Sequence, residues 1–360
     1  LDCIIVELYY IELFIGEIMK KMSSRERVLA AFARQPVDRP PVITISSVMT
    51  VESQNIVGVK LPETHNDAEK MAALAATAHD LLGFDNVMPY FGMQQDSQAL
   101  GGKVNLGQID TMPAITEPLY SDPDEFTYPE DFLDRPPVKA VLDAIRLLRK
   151  KYGDEVAICG KVIGPWSATM VLIGVENLLI GTIDDPDKIK RFLEKFSILA
   201  IKFGAAQIEA GIDILNWNDH ATGDLVSAKT YEELLFPLHK TVLKEFHANA
   251  PKRIPIILHT CGKTLDRMPL FAQTGFDGFH FDSKNDVAES LKLTAGNILL
   301  CGCVTNVEVL LNGTREDVKK QTSDLVKAGV PIISPECAIP LRVKNDNLRA
   351  IVEAVEASRQ

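Results

Sequence analysis

One histidine and two cysteines stand where a parallel fold could gather them. His259-Thr260-Cys261-Gly262 closes the apolar run Ile254-Pro255-Ile256-Ile257-Leu258, and Cys337 follows the apolar run Pro331-Ile332-Ile333. Imidazole and thiolate are ligands that zinc prefers, and a set of three leaves a fourth position open to substrate. Two thiolates already balance the charge of Zn2+. A further thiolate from a substrate would give a net negative centre, whose sulfur keeps its electron density while its pKa falls. Taken alone, an H-x-C at a strand end also reads as a satisfied core histidine beside a small buried thiol.

Other groups compete for a place in such a site. Asp282 ends the run Phe279-His280-Phe281-Asp282 and could fill the vacant position, act behind the ligands, or cap a loop and pair with Lys284. Strand alternation turns His280 away from Phe279 and Phe281, which makes it a core or supporting residue before a ligand. Cys301-Gly302-Cys303 offers a second thiol pair, read here as packing. Cys159 lies inside an apolar strand and reads as core, and Cys3 lies in the first residues of the chain.

The elements that must position these residues follow from hydrophobic periodicity. Eight β-rich runs recur, at Val42 to Ser47, Asn86 to Phe91, Val156 to Val162, Ile214 to Asp219, Ile254 to His259, Gly278 to Asp282, Ile298 to Gly302 and Pro331 to Ser334. Helical spacing fills intervals such as Asp67 to Leu82, Pro186 to Gly211, Tyr231 to Asn249 and Thr314 to Gly329. This alternation predicts an α/β fold, a (β/α)8 TIM barrel with an N-terminal helical extension. An open doubly wound sheet is the alternative, but no G-x-G-x-x-G follows a strand and no P-loop is present. In the barrel, strands five and eight lie across one mouth, so the 76 residues between Cys261 and Cys337 are compatible with one metal. The proline-rich stretch after Gly92 predicts an excursion over that mouth before a helix near Val138 to Tyr152.

With 360 residues and 46% hydrophobic composition, the chain can bury a sizeable core. A net charge of −11 and no basic run longer than Arg149-Lys150-Lys151 argue against nucleic acid as a partner. Six cysteines are too sparse for a disulfide framework, which fits a reducing compartment, the cytoplasm. The apolar start of the chain carries acids and no basic n-region, so it reads as neither a signal peptide nor a membrane span. Residues 1–22 are taken as an extension without assigned chemistry, and 23–360 as a single domain.

His259-Thr260-Cys261-Gly262, Pro335-Glu336-Cys337-Ala338-Ile339-Pro340, Gly164-Pro165-Trp166-Ser167 and the stretch Arg25 to Pro41 together resemble the uroporphyrinogen decarboxylase superfamily. More narrowly, they resemble its corrinoid-dependent methyltransferase branch, which includes methylcobamide:coenzyme M methyltransferases and chloromethane methyltransferases. The resemblance implies a zinc enzyme with His259, Cys261 and Cys337 as metal ligands. It also implies methyl transfer between the cobalt of a corrinoid-binding partner protein, as methylcobalamin, and a zinc-activated thiol such as coenzyme M. It further implies a pocket role for Asp219, in Trp217-Asn218-Asp219-His220, and a lesser one for His220; Asp282 is placed with Asp219 as a catalytic candidate. Gln98 stands where the branch often has a glutamate, which departs from the pattern for the methyl acceptor. A methyl-donor-side role, demethylating a methoxylated or methylated substrate onto cobalt, is the alternative. Tetrapyrrole decarboxylation is disfavoured, because Ile43-Thr44-Ile45-Ser46-Ser47-Val48-Met49-Thr50 lacks the arginines that would grip the porphyrin carboxylates.

Overall fold

A computed structural model describes residues 21–359, so the expected extension, with Cys3, falls outside the described residues but for its last two. Six parallel strands pair in chain order: Asn86–Val87, Ala157–Ile163, Ile214–Asn218, Ile256–His259, Gly278–His280 and Leu299–Cys301. The ring is completed by single parallel bridges, Cys301 with Ile332, Val304 with Pro335, and Val42 with Ile333. Consecutive parallel order with helices outside is the TIM-barrel arrangement. The first and eighth expected strands are therefore present at their positions but reduced to bridges. Prolines explain this, since Pro40, Pro41, Pro331 and Pro335 have no N–H to give to a ladder.

Side chains replace the missing ladder between the first two positions. Asp85 N donates to Val42 O at 2.7 Å, while Asp85 Oδ2 accepts from Val42 N at 2.7 Å. Asn86 repeats the pattern, its Oδ1 accepting from Thr44 N and its Nδ2 donating to Thr44 O, both at 2.8 Å. The same Asp85 carboxylate also receives Arg27 at 2.7 Å and Arg39 at 2.7 Å, all three side chains being almost wholly buried. Arg27 comes from the helix Ser24–Phe32, whose start is fixed by a reciprocal cap between Ser23 and Glu26. One carboxylate thus closes the barrel floor.

The outer helices follow their sequence signals. Pro186–Ala210 starts on Asp185, which accepts from Lys188 N at 3.1 Å, and stops at Gly211, whose φ of +117° few other residues adopt. Its buried stripe runs through Ile189, Phe192, Leu193, Phe196 and Phe203. The helix expected from Tyr231 is split: a π turn at Tyr231–Leu235 precedes Phe236–Asn249, because Pro237 cannot donate to the preceding turn. The excursion after Gly92 holds a short helix Gln95–Ala99 and a small hairpin, Val104–Asn105 with Ala114–Ile115, before the long helix Pro136–Tyr152. Among the described residues no single helix is long and apolar enough to cross a membrane.

Two consequences are measurable. Asp85→Ala removes the carboxylate that two buried guanidinium groups share and the acceptor for Val42 N, leaving Arg27 with Asp38 and Arg39 with Glu356, and should cost about 3 kcal/mol in urea unfolding; an unchanged midpoint would contradict this account of closure. Asp96, on the helix Gln95–Ala99, is fully buried, and burial pushes its carboxyl up from 3.8 to about 7, partly opposed by Lys161. The folded chain then keeps a proton that the unfolded chain releases near pH 4, so this group lowers stability as pH rises from about 4 to 7. Asp96→Asn should flatten that fall and raise Tm at pH 8 relative to the parent, whereas parallel Tm profiles would show that the carboxylate is not so placed.

Candidate metal centre

His259 is the last residue of its strand, and a turn delivers Cys261 back over it. Gly262 makes the turn with φ +76°, and a Cβ there would meet Thr222 Oγ1 at 2.5 Å. Asp282, at the exit of the neighbouring strand, fixes the same turn: its Oδ2 accepts from Gly262 N at 2.9 Å and its Oδ1 from Lys284 N at 2.9 Å. From the eighth position comes Cys337, its carbonyl accepting from Ser46 Oγ at 3.1 Å. The preceding Glu336 ties that segment to Asn306 N at 2.7 Å and Ser283 N at 3.1 Å.

The three side chains converge. His259 Nε2 lies 3.1 Å from Cys261 Sγ and 3.6 Å from Cys337 Sγ, and the two sulfurs are 2.9 Å apart. That separation is far longer than the roughly 2.05 Å of a disulfide, and both thiols are free. The hydrogen bond from Cys261 draws the Cys337 thiol well below its ordinary range, with His259 adding to the effect, while the same bond and burial raise Cys261. Two sulfurs and an imidazole nitrogen at these distances could hold one cation between them.

The tautomer of His259 follows from its neighbour. His280 is fully buried, and its Nε2 lies 2.9 Å from Pro335 O, an atom that only accepts. Ser334 Oγ donates to the same carbonyl at 2.8 Å and lies 2.9 Å from His280 Nε2. Burial, with the charge of His259 next, holds His280 well below its usual pKa, so its ring is neutral and its proton sits on Nε2. Its Nδ1 then accepts from His259 Nδ1 at 2.8 Å, which leaves His259 Nε2, the nitrogen aimed at the thiols, as the one available to a metal. This donor set of one imidazole nitrogen and two thiols fits zinc.

Asp219 is fully buried behind the mouth. Its Oδ1 accepts from Ser167 N at 2.7 Å, at the first turn of the helix Pro165–Ile173, and its Oδ2 meets His239 Nε2 at 2.9 Å. Gly164 exists for this contact, since a Cβ there would lie 2.5 Å from the Asp219 carboxyl carbon. Ser167 Oγ accepts from His220 N at 2.7 Å, so Asp219 and Ser167 together set the backbone that carries His220. The ligand atoms of His220, His259 and Cys261 lie within 4.8 Å of one another, which places His220 beside the thiol centre as a further donor. Burial, then the charge of His259, pushes His220 down to about 4.

His259, His220 and Cys337 line a cavity of about 220 Å³, roofed in part by Met93, Met112 and Pro113 of the excursion. Asn216, Asn218 and Lys161 also line it, and Gln98 does not. Cys301 and Cys303 are buried, with thiols pushed upward by desolvation, and burial raises Cys159 to about 12. Reading the sequence gave His220 little weight and passed over His239, Lys161 and the two asparagines. A signal existed: Asn216 and Asn218 alternate along one strand, His220 follows at the same spacing just past its end, and Lys161 is the lone charge in an apolar run.

The profile of the uroporphyrinogen decarboxylase (URO-D) family matches residues 23–358. The chain is 30% identical over 339 residues to a methylcobamide:CoM methyltransferase (MtaA) from Methanosarcina barkeri, covering 93% of this chain and 98% of that one. It is 29% identical over 337 residues to a methylated-thiol–coenzyme M methyltransferase from Methanosarcina mazei, covering 93% and 90%. A solved methyltransferase structure from Methanosarcina mazei superposes with a TM-score of 0.87 at 27% identity, over 93% of this chain and 99% of that one. The chain belongs to the uroporphyrinogen decarboxylase family, in its corrinoid-dependent methyltransferase branch.

Proposed function

We propose that the protein transfers a methyl group from the cobalt of a corrinoid carried by a partner protein to a small thiol such as coenzyme M, with zinc held by His259, Cys261 and Cys337. The observation that carries this reading is His259 Nε2 facing two sulfurs at 3.1 and 3.6 Å on the wall of a cavity. Methyltransferase relatives acting on coenzyme M support the reaction class. Zinc bound there supplies a Lewis acid that lowers the pKa of an incoming thiol yet leaves its sulfur nucleophilic.

The chain's own residues then have separable tasks. His280 keeps the ligand nitrogen unprotonated, and Asp282 holds the Cys261 turn through two backbone amides rather than offering a free oxygen. Asp219 acts through Ser167 and His239 to place His220 beside the thiols. Met93 and Met112 give the cavity an apolar stretch of wall. In the transfer, the sulfur lone pair forms the S–C bond, the Co–C electron pair stays on cobalt as Co(I), and the thiol proton leaves to solvent.

The reading is tested by incubating zinc-loaded protein with methylcobalamin and coenzyme M and following the loss of the Co–C spectrum. Turnover should require about one zinc per chain and vanish in Cys261→Ala and Cys337→Ala; metal-free turnover, or a purified chain that binds no zinc, contradicts it. His280→Ala should weaken zinc binding about 10- to 100-fold in a chelator competition while the fold survives. Unchanged zinc affinity would remove the tautomer argument.

A further inference from the structure

Lys161 is buried where a lysine has no structural reason to be. It interrupts the apolar strand Ala157–Ile163, is 6% exposed, and is in register with Asn216, two residues below the level of Asn218 and His259. Its Nζ donates to Gly92 O at 2.5 Å and sits 4.8 Å from the centre of the Tyr90 ring. No carboxylate among the described residues lies within 4.0 Å of it in an ion pair, and none lines the cavity. Tyr90 OH, by contrast, is buried without a partner.

A buried ammonium with one assigned acceptor has two donors left to satisfy. Removing it from water is costly, and burial lowers its pKa to about 8, with nearby Cys337 and Asp96 pulling the other way. It therefore remains largely protonated at neutral pH. Apart from the imidazoles, it is the one basic side chain on the cavity wall among the described residues. An anion entering the cavity would replace its lost hydration with a charge-assisted hydrogen bond. The cavity, about 220 Å³, admits only a small molecule, and the metal ligands occupy another part of the same wall.

We propose that Lys161 is the specificity-determining residue of this site, the one that holds the anionic end of the thiol acceptor and so sets the preference for a charged over a neutral thiol. The identity of the cavity as a thiol site rests on the function proposed above; the charge preference rests on Lys161 itself. Gly92, whose carbonyl holds the ammonium, has a φ of +88° that side-chain-bearing residues rarely adopt, and a Cβ there would lie 2.9 Å from the Pro113 ring, so the backbone that aims Lys161 is itself constrained. The excursion that roofs the cavity thereby also orients its cation.

The test compares 2-mercaptoethanesulfonate with neutral 2-mercaptoethanol in the parent, Lys161→Met and Lys161→Arg. Methionine matches the length and suits a buried site, and arginine keeps the charge. With methylcobalamin as donor, the parent should favour the sulfonate roughly tenfold or more in KM. That ratio should collapse to about twofold or less in the methionine variant and persist in the arginine variant. Titration calorimetry of the two thiols with each protein as isolated reads the same preference without turnover. It decides the matter even if no methyl transfer occurs, which would count against the proposed reaction alone. A sulfonate preference that survives Lys161→Met, or its absence from the parent, overturns the assignment; a purely structural lysine would change stability without changing the ratio between thiols.

Discussion

The centre depends on the direction of one hydrogen bond, from His259 Nδ1 to His280 Nδ1 at 2.8 Å. Pro335 O fixes that direction, because a carbonyl cannot donate, and the buried His280 ring cannot afford a second proton. Reversing it would put a hydrogen on the His259 nitrogen that faces Cys261 and Cys337. Three barrel positions meet in this one chain of contacts: His259 on the fifth strand, His280 on the sixth, and Pro335 on the eighth. Cys337 lies two residues beyond the carbonyl that sets the polarity, so the segment bringing one thiol also prepares the imidazole.

Such a chain needs a scaffold that holds those strand ends to within a few tenths of an ångström. The barrel supplies it with little backbone ladder at its seam. Prolines shorten the first and eighth strands, and Asp85 and Asn86 close the gap with side-chain atoms placed like backbone ones. The two ends of the barrel use buried charge differently. At the floor, Asp85 is saturated by two arginines and a backbone amide, an arrangement that holds the ring closed. At the mouth, Lys161 and the thiols are left partly unmatched, as suits groups meant to meet something that comes and goes.

Much of this was legible in the sequence. Apolar runs of strand length separated by helical spacing placed six ladder strands and the two bridged positions, because that periodicity directly reflects which faces are buried. Topology could place His259, Cys261 and Cys337 at one mouth, since parallel strands end on one face, and the family resemblance singled them out as a ligand set. Strand lengths at 42–47 and 331–334 were overread, since apolar composition outweighed the prolines that deny ladder bonds. The polarity of His280 was not legible, because it hangs on a contact 55 residues away with Pro335 O. Asp282 could be read from sequence as ligand or as loop cap, and only the backbone shows both its oxygens occupied by amides. Lys161 was visible as a lone charge in an apolar run, yet its meaning required knowing that the excursion folds over it.

The central claim is that His259, Cys261 and Cys337 form an open zinc site that a thiol completes. X-ray absorption at the zinc edge tests it most directly, read before and after adding coenzyme M. The account predicts one imidazole nitrogen at about 2.0 Å and two sulfurs at about 2.3 Å, with a lighter fourth ligand that gives way to a third sulfur when the thiol is added. A shell already closed by four protein ligands and unmoved by thiol would contradict it.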